Sequence, residues 1–177
     1  MRQMSVVKKS VYCAVCIALC VVVPMAFHTI QSAGSIFLPM HIPVLLCGLI
    51  CGWPFGLVCG LVGPLLSSVL TGMPPIAILP AMMVELAVYG LTAGVLLPRI
   101  RTGKPILDLY ITLIVAMLAG RILGGVARAL LLTPGTYTMA AWVTGSFITS
   151  LPGIVIQLLL IPLLYTALEK SKLIPGR

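Results

Sequence analysis

Residues 107–132 read LDLYITLIVAMLAGRILGGVARALLL. The run is long enough to cross a bilayer, because about 20 apolar residues span the hydrocarbon core as a helix. Two arginines, Arg121 and Arg128, lie inside it. Even on a lenient insertion scale, an uncompensated Arg at mid-membrane costs roughly 2.5–3.5 kcal/mol. Seven residues apart, the two share one helical face, with Gly124 and Gly125 between them. The stretch is therefore a membrane-spanning helix whose charged face is directed at other protein, not at lipid.

The rest of the chain agrees with a membrane setting. It has 177 residues, 60% hydrophobic and 8% charged, with a mean hydropathy of +1.21. A water-soluble domain would carry roughly 25% charged residues. The same length rule gives six spans, 7–27, 39–51, 54–70, 76–97, 107–132 and 141–168. The predicted class is an all-α, polytopic membrane protein, a six-transmembrane-helix bundle forming a single integral membrane domain over 1–177. The second and third spans are short and meet at Trp53-Pro54, as in a tight hairpin or a broken pair. Pro and Gly mark the other joints, at 72–75, 103–105 and 133–135. The start resembles a secretory signal, but the apolar run continues to about Phe27 without a small-x-small cleavage site. It is expected to remain as the first span.

Nine of the eleven basic residues flank the spans: Arg2, Lys8, Lys9, Arg99, Arg101, Lys104, Lys170, Lys172 and Arg177. Six spans place all nine on one face. The opposite segments, 28–38, 71–75 and 133–140, hold no Lys or Arg. Short loops rich in Lys and Arg stay cytoplasmic, so both termini are predicted inside, in the plasma membrane. The net charge of +8 then reads as orientation charge, helped by anionic lipid, and not as a nucleic-acid surface.

Several chemistries find no support. The six cysteines (Cys13, Cys16, Cys20, Cys47, Cys51, Cys59) all lie in apolar segments. Cys13-x-x-Cys16 has a redox spacing but no polar setting, so the six read as small apolar residues. There is no His-Glu-x-x-His, no nucleophile-elbow serine and no phosphate-binding Gly-Lys-Ser/Thr loop. The chain is read as no enzyme, with no cofactor and no metal site. Uphill transport would draw its energy from another subunit or an ion gradient, with Glu85 as the one plausible proton carrier.

Counting along the helices at 1.5 Å per residue puts Arg128 roughly 5 Å, Glu85 roughly 10 Å and Arg121 roughly 15 Å below the outer surface. One reading is a Glu85–Arg121 latch that only locks the bundle. The favoured one is a pocket open to the outer face, with one or two guanidinium groups for an anionic ligand. Arg suits a carboxylate because its planar fork meets both oxygens. Tyr89, one turn from Glu85, is expected to add an aromatic wall and a hydroxyl. His28, Gln31 and His41 lie in or beside the first outer loop, and residues 34–41 are placed to close over the site, with His41 a candidate contact. Asp108 and Glu169 are expected as interfacial charges. Gly48, Gly52, Gly56 and Gly60, with Gly90/Gly94 and Gly120/Gly124, recur every four residues. That spacing lets helices approach closely in lipid.

Four local features carry a resemblance: Ala14-x-x-x-Ala18 in the first span, Leu38-Pro39-Met40-His41-Ile42-Pro43, the Gly-rich run from Gly48 to Gly63, and Leu70-Thr71-Gly72-Met73-Pro74-Pro75. Together with size and topology, they make essentially the whole chain resemble the substrate-binding S components of energy-coupling factor (ECF) vitamin transporters. The resemblance implies high-affinity binding of a micronutrient in an outward pocket built from helices four to six and the outer loops, with the first outer loop as a lid. It also implies that Ala14 and Ala18 dock on a transmembrane coupling subunit that joins two cytosolic ATPases. Arg121, Arg128, Glu85 and Tyr89 become pocket candidates by depth and helix. Met40-His41-Ile42-Pro43 also resembles the start of nickel and cobalt members. There a terminal amine helps bind the metal, whereas Met40 is internal, so metal uptake is not expected. The expected ligand is a small carboxylate-bearing vitamin or precursor, pantothenate ahead of folate-like or biotin-like compounds. A pyridoxine-type vitamin or a queuosine precursor remains compatible. The alternative is an autonomous proton-coupled carrier or a structural membrane protein.

Overall fold

A computed structural model describes residues 4–26, 33–131 and 138–175. Those residues form helices and turns, with no strand among them. The elements are α1 (Val6–Met25), α2 (Ala33–Phe37), α3 (His41–Cys51), α4 (Trp53–Thr71), α5 (Leu79–Leu96), α6 (Pro105–Leu131), α7 (Met139–Val143), a π-helical turn (Thr144–Thr149) and α8 (Leu151–Lys170). Six stretches are long and apolar enough to cross a membrane: α1, Gly34–Cys51, α4, α5, α6 and α8.

Local chemistry sets the boundaries. Ser5 caps α1 by accepting the Lys8 N–H at 3.3 Å. Between α3 and α4 a single residue, Gly52, takes a φ of 91° that a side chain would resist. Pro54 follows in the first turn of α4, where its missing N–H costs nothing. The pair expected at Trp53-Pro54 is thus two helices joined through one glycine. Leu38, at φ 52°, separates α2 from α3 within the second span. The last expected span, 141–168, is not continuous. The chain breaks at Ser150, and Pro152 opens α8. The break falls in TGSFITSLPG, residues 144–153, whose hydroxyl, Gly and Pro residues a window long enough to find a span averages away. Arg2, Phe27, His28, Gln31, Arg177 and the whole 133–135 joint lie outside the described residues.

α5 is central, packed on α3, α4 and α6. Its glycines make that possible. A Cβ on Gly56 or Gly48 would run into the Gly90 carbonyl, one on Gly60 into the Leu86 carbonyl, and one on Gly94 into the Trp53 backbone. Close backbone contact of this kind supplies the dispersion attraction that holds helices together in lipid. α1 packs on α3 and α4 through Cys13, Cys16 and Cys20, while Ala14 and Ala18 on its other side are exposed. All six cysteines are buried free thiols. Cys13 and Cys47 both donate weakly to the Phe55 carbonyl, at 3.6 and 3.5 Å.

The two ends of the bundle differ. At one, Lys8 Nζ and Tyr12 OH donate to the Leu173 carbonyl, at 2.6 and 3.1 Å. A cavity of about 590 Å³ there is lined by Lys9, Arg101, Asp108 and Pro175 among others. The start of α1, the 98–104 loop and residues 173–175 therefore meet. Asp108 is buried at this end; its Oδ1 accepts the Thr102 N–H at 2.8 Å and the Thr102 hydroxyl at 2.6 Å. A second cavity opens at the far end.

Candidate functional site

The far cavity measures about 340 Å³. Its walls come from the α2–α3 link (Leu38, Pro39, Met40, His41), the 73–78 loop, α5 (Met82, Glu85), α6 (Arg121, Gly124, Gly125, Arg128) and the π-helical turn (Gly145, Ser146). Segments distant in sequence converge, and the residues singled out by charge, Glu85, Arg121 and Arg128, line the cavity together with His41.

Glu85 Oε1 is the hub. His41 Nε2 lies 3.5 Å from it and Arg121 Nη1 lies 4.0 Å away. The Tyr89 hydroxyl donates to the same oxygen at 3.3 Å. The His41 and Tyr89 rings meet edge to face with centroids 5.2 Å apart. Tyr89 is fully buried and stays off the cavity wall, so it supports Glu85 from behind and is not the aromatic wall expected from sequence. His41, expected in or beside a loop, is the first residue of α3 and only 2% exposed. Within the stretch 34–41, Gly34, Ser35 and Leu38 to His41 line the cavity, so that segment forms part of its wall.

Two α6 glycines make room for this arrangement. A Cβ on Gly120 would enter the Tyr89 ring, and one on Gly124 would fall 2.7 Å from Glu85 Cβ. Unlike the glycines of the α4–α5 seam, both would meet side chains first, although a Cβ on Gly120 would also come within 2.9 Å of the Glu85 carbonyl oxygen. Both are the recesses into which the α5 site residues fit.

Arg121 is 5% exposed. Its contact with Glu85 is longer than the 2.7–2.9 Å of a tight charged pair. Its Nη2 has no hydrogen-bond partner among the described residues, and neither His41 nitrogen has one. Buried polar groups are normally partnered. A cluster with two such exceptions around a carboxylate, bordering a cavity, can take up a small polar molecule. Among the described residues no group of three His, Cys, Asp or Glu is placed to hold a metal ion.

Compared with known families, residues 8–165 match the family model described as ECF transporter, substrate-specific component. The chain belongs to that family. No curated protein and no solved structure matches it. As an ECF substrate-specific component it is a multi-pass membrane protein and a transport subunit.

Sequence reasoning passed over three residues of this ECF component. Trp142 donates its indole N–H to the Arg121 carbonyl at 3.2 Å, stacks edge to face on Phe147 and covers Gly125. It thereby holds α7 against α6 beside the cavity. Ser146 lies on the wall because the π-helical turn folds back over it. Gln157 of α8 is fully buried, and both of its amide atoms lack a partner among the described residues. Being uncharged, a lone amide in an apolar run carries no signal comparable to that of an arginine.

Proposed function

We propose that this substrate-specific component binds a small carboxylate-bearing vitamin or precursor with high affinity and delivers it inward with the help of ATPase partner subunits. Pantothenate is the leading candidate. The observation that carries this reading is the arginine pair facing one carboxylate. Arg121 and Arg128 border the cavity with Glu85 as the acidic wall residue, a formal excess of one positive charge that suits a monoanion. Arg121 Nη2, buried and with no hydrogen-bond partner among the described residues, is ready to donate to a carboxylate oxygen. At about 340 Å³ the cavity is near the low end of the roughly 300–1,000 Å³ usual for small-molecule sites. A pantothenate- or biotin-sized acid suits it better than a folate.

The latch reading is weaker. A Glu85–Arg121 separation of 4.0 Å is loose for a structural lock, and Arg121 Nη2 would stay unsatisfied. In the proposed orientation the basic end faces the cytoplasm, the cavity opens outward, and the exposed Ala14 and Ala18 meet the transmembrane coupling subunit. The whole chain acts as one membrane domain.

Titration calorimetry of the detergent-purified protein with pantothenate tests the site. Arg121→Ala and Arg128→Ala should each weaken binding by roughly 30- to 5,000-fold, as expected for loss of a buried charged contact of 2–5 kcal/mol. Unchanged affinity in both variants rejects the carboxylate pocket. Uptake into membranes that lack the ATPases would reject the energising scheme.

A further inference from the structure

The described residues include three side chains with buried polar atoms that find no hydrogen-bond partner: both nitrogens of His41, Nη2 of Arg121, and both Nε2 and Oε1 of Gln157. Two of the three line the cavity. The third sits on α8, and its depth can be read from a contact one turn earlier. A Cβ on Gly153 would fall 2.7 Å from the Ile36 carbonyl oxygen, so α8 abuts the end of α2 there. Gln157, four residues on, points from the same helical face about 6 Å further into the bundle. α8 also packs against α3, whose first residue is His41, and against α6, which carries Arg121. Gln157 is thus buried on a helix in contact with both elements that carry the cavity's other unbonded polar groups.

We propose that Gln157 is a specificity-determining residue of this site. The cargo is a carboxylic acid with a second hydrogen-bonding group, an amide, ureide or hydroxyl, which Gln157 and His41 take up while the arginines hold the carboxylate. The proposal rests on the binding role of the cavity given above and extends it from one functional group to two. The chemistry is complementary. A neutral His offers one donor and one acceptor, and a Gln amide offers donors and an acceptor, so together they match a group that both gives and receives hydrogen bonds. An amide sealed in the interior with neither end bonded destabilises the fold, and an apolar side chain of equal size would serve packing better. Gln157 stands outside the present wall. However, α2 and the π-helical turn both adjoin α8, and Gly34 and Gly145 in them have open space around them. A small shift of either segment on binding would bring the amide to the ligand.

The test compares four probes on wild type, Gln157→Leu and Arg121→Ala by calorimetry. Pantothenate and biotin are acids with an amide or ureide, octanoate is an acid without one, and panthenol keeps the amide and hydroxyls but lacks the carboxylate. Wild type should bind at least one polar acid more tightly than octanoate or panthenol. Gln157→Leu should weaken that polar acid roughly tenfold or more and leave octanoate unchanged. It should also raise the melting temperature of the ligand-free protein. Wild-type affinity for the polar acids in Gln157→Leu overturns the role of Gln157. If Arg121→Ala still loses them, the carboxylate pocket stands without it. Loss in Gln157→Leu with full affinity in Arg121→Ala instead removes the carboxylate reading, and the acid class with it. Equal binding of octanoate, or binding of neither polar acid by wild type, overturns the proposal outright. Gln157→Met, similar in volume, gives the same reading if the Leu variant does not fold.

Discussion

On α6, the nearest atom to a Cβ built at Gly124 is Glu85 Cβ, 2.7 Å away, with Glu85 Oε2 at 3.1 Å. Gly124→Ala must therefore displace the Glu85 carboxylate, on which His41, Arg121 and Tyr89 converge. Overpacking of this kind typically costs about 1–3 kcal/mol. The variant should unfold at lower temperature and bind pantothenate more weakly, whereas Gly145→Ala, with nothing within 4 Å, should match wild type in thermal unfolding. At this scale the charged members of the site were legible, because a charge inside an apolar run has to find a partner or a use. Burial of His41 was not. It depends on the left-handed turn at Leu38, which sets how the start of the expected span 39–51 packs inward, and hydropathy does not show that. Gln157 was silent for a different reason, since a single neutral amide costs too little to mark a span as unusual.

Between helices, one sequence spacing serves two ends. Gly48, Gly56, Gly60, Gly90 and Gly94 bring backbones together, while Gly120 and Gly124 receive side chains. The distinction predicts different responses. In Gly90→Ala the new methyl meets the Gly56 carbonyl, and main chain in the middle of a helix cannot swing aside as a side chain can. That variant should lose more thermal stability in detergent than Gly124→Ala, or fail to give a monodisperse protein. The reverse order would show that the α4–α5 seam is slack. Spacing alone could not sort the two groups, because what lies opposite each glycine is fixed by helix pairing. The six spans were legible from length and hydropathy. The division of the last into α7, a π-helical turn and α8 was not, because a window long enough to find a span averages over Thr144, Gly145, Ser146, Thr149, Ser150 and Pro152.

Across the whole bundle, the start of α1, the 98–104 loop and the chain's last helix meet at the end opposite the candidate site. The segregation of nine basic residues had already separated those ends in the sequence. α1 shows the same division laterally, with cysteines inward and Ala14 and Ala18 outward. Replacing both alanines by Trp should therefore leave the fold and calorimetric pantothenate binding intact, while ATP-dependent uptake in membranes with the full transporter is lost. Retained uptake would move the coupling contact elsewhere. The glycine recesses on α6 carry one more consequence. Side chains at positions 85 and 89 are hemmed in by Gly120 and Gly124, so a descendant chain could hardly enlarge them to suit a different nutrient. Gly34 and Gly145, by contrast, border open space at the rim. Evolution toward new cargo would therefore proceed by bulking up the entrance, leaving the charged floor as the inherited constant.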